Sequence, residues 1–197
     1  SALPKIGKKL LKMPKNLNCA RGAFTGSKGV NRFTEGAKKL YHGDPIDVTT
    51  GSVVEQRVDF VIGNTFPFAF KRTYQTGYAH TGALGYRWAD SLSECLISHA
   101  DDRYEIRLDE GESLWFALPD KMESSYNPEH PNYVLARAKE GYVLYCRDSL
   151  SRKFFLHKHQ CVVDAQTHFP LSEWRDVHEN NLTFFYDQSH LPYAIAH

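Results

Sequence analysis

The sequence predicts an all-β protein of antiparallel hairpins, preceded by a short, irregular or partly helical basic arm. Three observations carry that expectation. From Asp44 onward, short runs rich in Val, Ile, Thr, Phe and Tyr recur about every ten residues, separated by Gly, Asn, Asp and Pro. No stretch after residue 43 keeps a helical period over an ordinary helix length. The formal net charge of +1 over 197 residues also conceals a division. Residues 1–42 hold ten Lys/Arg against Glu35 alone, a balance of +9, and residues 43–197 carry −8.

Taken in order, the arm comes first. Ile6, Leu10 and Met13 fall at helical spacing, so a short helix is expected to run to Met13, where Pro14 stops it. A second weak helix is expected over Arg32–Tyr41, interrupted by Gly36. Both are too short to be stable alone and need a body to dock on. The strands follow at Ile46–Thr49, Val53–Ile62, Pro67–Tyr74, Arg87–Ser98, Tyr104–Leu108, Leu114–Leu118, Tyr133–Ala138, Tyr142–Arg147, Lys153–His157, Leu182–Tyr186 and Tyr193–Ala196. Thr50-Gly51 is expected to turn the first hairpin and Gly63-Asn64 the next corner. Tyr142–Arg147 is apolar on both faces, so it is covered on both sides or has one face turned into a cavity. Lys121–Pro131 reads as an internal loop.

Composition narrows the function classes. The chain is long enough to bury about 70% of its unfolded surface without disulfides. Hydrophobic residues at 42% and charged residues at 24% are ordinary for a globular domain and argue against disorder. No run approaches the roughly 18 apolar residues of a spanning helix, and the N-terminus lacks the apolar core of a secretory signal. Cys19, Cys95, Cys146 and Cys161 form no C-x-x-C pair and are expected to be reduced thiols. No G-x-S-x-G elbow is present, and Gly22–Gly29 lacks the G-K-[ST] ending of a phosphate loop.

Four segments, in order, resemble a known family. Gly43-Asp44-Pro45-Ile46-Asp47-Val48-Thr49-Thr50-Gly51 is similar to G-D-P-V-D-V-x-T-G, and Phe66–Tyr74 carries Pro67-Phe68 followed by Arg72 and Tyr74, as in P-F-x-L-x-R-x-Y. Gly82-Ala83-Leu84-Gly85-Tyr86-Arg87-Trp88 through Leu92 resembles G-x-L-G-x-G-W-x-x-S-L, with Arg87 where Gly is common. Asp176–Asp187 resembles D-x-N-G-N-x-L-x-F-x-Y-D, with His178-Glu179 in place of Asn-Gly, so a tight turn is not favoured there by residue type. Ser189-His190-Leu191 stands for the usual Gly-Arg-Leu. On these motifs residues 43–197 resemble the opening of the core of Rhs, or Tyr-Asp repeat, polymorphic toxins. The resemblance divides the chain into a basic arm or linker (1–42), an opening β-region (43–175) and a first Tyr-Asp repeat, cut short (176–197).

The resemblance implies a shell or cap piece of a hollow β-cocoon that encloses a C-terminal toxin. Its partners would be the rest of the core and the toxin domain, with a PAAR/VgrG spike or a chaperone as further candidates. It implies a protein held in the bacterial cytoplasm before export through a type VI secretion system into a target cell. The chain itself looks like a fragment, so its last strand is expected to leave an open edge and a bare apolar inner face that dimerise or stay bound to the rest. No cofactor is expected. In the repeat, Tyr186 should lie on the sheet and Asp187 should fix the following turn. Gly51, Gly82 and Gly85 are expected as turn glycines, and Trp88 and Trp115 as packing residues.

Candidate chemistry is sparse. His157, His159 and Cys161 alternate, and on one straight strand they would share a face suited to a metal; a turn near Lys158 would separate them. The resemblance also raises single-turnover self-cleavage near residues 1–42. For that, Glu35, Asp44, Asp47, Glu55, Asp90 and Glu94 are the candidate acids and bases. The arm itself has three readings: a linker, a segment docked on the acidic body or a partner, or a contact with nucleic acid or an anionic membrane. The absence of aromatics before Phe24 speaks against the last, and nucleic acid is not an expected partner. Three functions follow: shell module, self-processing region, and β-rich carbohydrate-binding module.

Overall fold

The computed structural model describes residues 11–12 and 52–197. The strands in chain order are β1 (Leu11–Lys12), β2 (Val54–Ile62), β3 (Phe68–Gln75), β4 (Thr81–Gly82), β5 (Gly85–Tyr86) and β6 (Trp88–Asp90). Next come β7 (Cys95–Ser98), β8 (Arg103–Arg107), β9 (Ser113–Ala117), β10 (Ser124–Tyr126), β11 (Tyr133–Ala138) and β12 (Gly141–Cys146). The last are β13 (Ser151–Leu156), β14 (Cys161–Val163), β15 (Gln166–Pro170), β16 (Glu173–Asp176), β17 (Asn181–Tyr186) and β18 (Pro192–Ala196). A single 3-10 turn, His157–His159, is the helical element among the described residues, so the all-β antiparallel class holds.

These strands form an eight-stranded sheet ordered β1-β18-β17-β16-β13-β12-β11-β10, a five-stranded sheet β14-β15-β7-β8-β9, a three-stranded sheet β2-β3-β6 and the small β4-β5 hairpin. All pairings are antiparallel. Period-2 alternation builds one core from all three larger sheets. Phe68 and Phe70 enter from β3, Ile106 and Leu114 from β8 and β9, and Leu144, Phe155 and Phe184 from the eight-stranded sheet. Phe68 meets Phe184 edge-on at 5.8 Å, which joins the smallest of these sheets to the largest. Each such side chain contributes about 1.5–3 kcal/mol of burial. On β12, Tyr142, Val143, Leu144 and Cys146 are all buried, so this strand is covered on both faces.

Several expectations are corrected. Arg87–Ser98 is not one strand. Asp90 Oδ1 accepts from Leu92 N (2.9 Å) and Asp90 Oδ2 from Ser93 Oγ (2.7 Å), and this turn sends β6 and β7 into different sheets. The loop Lys121–Pro131 contains β10, which pairs Ser124–Tyr126 with Val134–Ala136. Strands β14, β15 and β16 are not marked by the sequence: β14 has only three residues, and β15 and β16 are short and rich in Gln, Thr, His, Arg and Glu. Leu11–Lys12 is strand rather than the end of a helix, with Leu11 opposite Ile195 and Lys12 opposite Ala194. β1 thus covers two of the five residues of β18, and Ala194, Ile195 and Ala196 are buried.

Gly85 is a turn glycine with φ 108°, but Gly82 is a close-approach glycine: a Cβ there would lie 2.5 Å from the Trp88 carbonyl oxygen. Trp88 packs against Tyr74, whereas Trp115 is 44% exposed and leans one face on His99. Gly63 turns the corner after β2 with φ 88°, as expected. The expected helix over 32–41, the strand over 46–49 and the turn at Thr50-Gly51 lie outside the described residues.

Candidate functional site

The most constrained polar group lies where the three sheets meet. A cavity of about 180 Å³ is lined by Lys71 of β3, Ser91 and Glu94 between β6 and β7, Asp109 after β8, Lys153 of β13 and Trp174 of β16. Lys153 follows the inward parity of Ser151 and Phe155, so its strand drives the ammonium inside. Lys153 Nζ donates to Glu94 Oε2 at 2.5 Å and sits 5.2 Å from the centre of the Trp174 ring. Ser91 Oγ donates to Asp109 Oδ2 at 3.0 Å, and Lys71 Nζ lies 3.6 Å from the same oxygen. Trp174 Nε1 is buried without a hydrogen-bond partner among the described residues.

Burial pushes the Glu94 carboxyl up to about 7 against the opposing pull of Lys153. Burial lowers Lys153, but Glu94 and then Asp109 more than reverse it and hold the ammonium above its ordinary range. Burial likewise raises the Cys146 thiol, which lines the same cavity, so it is not a ready thiolate. Chemically the arrangement is an ion-paired joint with one carboxyl poised near neutrality.

A second buried carboxylate, Glu105, lies on the opposite face of β8 from the core. Its Oε1 accepts from Ser113 Oγ (2.7 Å) and Arg107 Nε (3.0 Å), and its Oε2 meets His99 Nε2 at 3.1 Å. Burial raises this carboxyl, but the bonds from Arg107 and Ser113 outweigh it and hold it below the ordinary value.

Three of the six self-cleavage candidates lie among the described residues. Glu94 lies in the cavity. Asp90 is buried in its own turn, where burial raises it despite its bonds to Ser93 and Leu92. Glu55 is exposed on β2, paired with Arg57 at 2.5 Å. Glu35, Asp44 and Asp47 lie outside the described residues, as do Gly43, Pro45 and Gly51. The metal candidates do not share a straight strand. His157 and His159 occupy the 3-10 turn and Cys161 opens β14. His159 Nδ1 bonds Ser172 Oγ at 2.8 Å, while His157 packs edge-on against Phe169.

Arg72 pairs with Asp59 at 2.9 Å and lies over Trp88. Tyr186 packs on the sheet and donates its hydroxyl to Leu171 O at 2.6 Å. Asp187 Oδ1 accepts from Ser189 N and Leu191 N, closing the β17–β18 turn. Sequence reasoning missed Lys153, Asp109, Lys71 and Glu105. For Lys153 the signal was legible: a lysine on the apolar parity of a strand, next but one to Phe155.

Residues 43–123 match the family described as "Domain of unknown function (DUF6531)". The chain is 34% identical over 181 residues to the probable deoxyribonuclease RhsB of Dickeya dadantii (strain 3937), covering 90% of this chain and 12% of the relative. It is 32% identical over 173 residues to the probable deoxyribonuclease RhsA of the same strain, covering 86% and 12%. It is 36% identical over 129 residues to the double-stranded DNA deaminase toxin A of Burkholderia cenocepacia (strain H111), covering 64% and 9%. The chain thus spans 12% or less of the length of these relatives.

Proposed function

Because the chain belongs to the Rhs family, we propose that it is a piece of the structural shell or cap of an Rhs-type antibacterial toxin, enclosing and helping to deliver a toxin domain carried elsewhere in the longer protein. One observation carries this reading. Much the same segment is shared with relatives named for two different DNA chemistries, deoxyribonuclease and deaminase. A segment common to both is a carrier rather than the source of either reaction. The fold supports it: β16, β17 and β18 are added in sequence order on one side of a single sheet, the pattern by which a sheet grows into a wall. The family resemblance extends the proposal to export through a type VI system, to a spike or chaperone partner, and to contacts with the rest of the core.

The test is to express this segment and the remainder of the longer protein as two polypeptides. The expected result is a one-to-one complex that shields the toxin domain. A monodisperse free segment beside a free remainder overturns the reading.

A second reading, one-time self-cleavage, rests on the buried Glu94 carboxyl that lines the cavity between the sheets, held above its ordinary value by burial. Mass spectrometry of a longer form carrying Glu94→Gln checks it. Unchanged cleavage removes Glu94 from the mechanism.

A further inference from the structure

Two long-sheet edges among the described residues are built in opposite ways. The outer edge of β2 is nine residues long, carries Glu55, Arg57 and Asp59, and is broken by an irregularity between Val58 and Phe60. Charge and a bulge are the usual means of keeping a free edge from pairing. One outer edge of the five-stranded sheet is β14, Cys161-Val162-Val163, with no charged residue. Val162 is 73% exposed and Val163 45%. No β14 side chain is buried, yet the hairpin to β15 is kept in register, Cys161 opposite His168 and Val163 opposite Gln166. Its two-residue turn places Asp164 and Ala165 at φ 50° and 63°, a left-handed conformation that an alanine rarely adopts. A strained turn thus holds out a strand none of whose side chains is buried among the described residues.

We propose that β14 is a docking edge for an extended, apolar-faced strand supplied by the part of the same longer protein that lies outside this chain. This rests on the shell reading. The occupant follows from two facts. The chain spans 12% of the length of its deoxyribonuclease relatives, so most of the longer protein lies outside it. The edge is also uncharged, which suits a strand held permanently beside it rather than one that comes and goes through solvent. The added strand would take up the outward N–H and C=O of Val162 and cover Val162 and Val163.

The test is hydrogen exchange on the full-length protein. The outward-facing amide of Val162, the residue between the two pairs bonded to β15, is expected to exchange at least about 100-fold more slowly than an unpaired amide, at all protein concentrations. Val162→Lys with Val163→Lys should restore fast exchange there while the amides of β8 stay protected. Fast exchange of this amide in the unaltered full-length protein overturns the proposal. So does protection that appears only at high concentration, which would assign the edge to a second copy. The split-protein experiment keeps the two readings apart: a complex that forms while the Val162 amide stays open sinks the docking edge and leaves the shell intact.

Discussion

Lys153 Nζ lies 2.5 Å from Glu94 Oε2, and this contact ties the eight-stranded sheet to the start of the five-stranded one. Removing one member strands the other in a buried site. Lys153→Met is expected to destabilise the fold by about 3 kcal/mol, and Lys153→Met with Glu94→Gln to recover most of that loss, since a neutral pair has no uncompensated charge. Urea denaturation of the two variants beside the parent protein checks the order.

The same carboxyl sets a pH dependence. In the fold, Glu94 holds its proton up to about 7, above the ordinary 4.5. Between those values the folded state binds more protons than the unfolded chain, so this group makes stability fall as pH rises from 4.5 toward 7 and leaves it level above. Going from pH 5 to pH 8 should therefore stabilise the parent less, or destabilise it more, than it does Glu94→Gln. Identical pH profiles would refute it.

Asp176 and Asp187 close successive hairpins with one set of bonds. Each accepts at Oδ1 from the backbone N–H two and four residues on: His178 and Asn180 in one turn, Ser189 and Leu191 in the other. Each turn places its fourth residue, Glu179 or His190, in the left-handed region at φ 62° or 58°. His190→Gly should stabilise the protein by about 0.5 kcal/mol, because relief of left-handed strain of about 1–2 kcal/mol exceeds the entropy that glycine loses. Asp187→Ala should cost about 1 kcal/mol. Thermal melts of the pair should move in opposite directions.

These turns show what the sequence made legible and what it did not. Tyr186-Asp187 could be placed from residue type, because a tyrosine on a sheet and an aspartate bonding the turn after it are local effects. The turn at His178-Glu179 could not, because neither residue favours it. The side chain that enforces it, Asp176, sits two positions earlier, and Asn180 adds a bond from its side chain to Asp176 Oδ2. The candidate site was legible in part for a similar reason. Glu94 could be singled out from a motif, but its partner Lys153 lies 59 residues away and is brought to it by the packing of separate sheets. Strands such as β15, Gln-Thr-His-Phe-Pro, carry one fully buried side chain, so alternation had nothing to mark.

Glycines at two hairpins should respond very differently to alanine, and the reason is packing rather than position in a turn. At Gly141, where β12 begins, a Cβ would lie 2.1 Å from the Phe155 carbonyl oxygen and 2.8 Å from Leu156 Cα. Both are backbone atoms of the paired strand β13, so no flexible side chain can swing away, and the Gly141–Leu156 end of the ladder must open. At Gly85, φ is 108° and no atom lies within 4 Å of the added carbon, so only backbone strain is paid. Gly141→Ala is expected to lose about 3 kcal/mol or more, and Gly85→Ala about 1–2 kcal/mol. Urea midpoints read the order. Hydrogen exchange locates the damage: the β12–β13 amides should lose protection in Gly141→Ala, while those of β8 and β9 keep theirs in both variants.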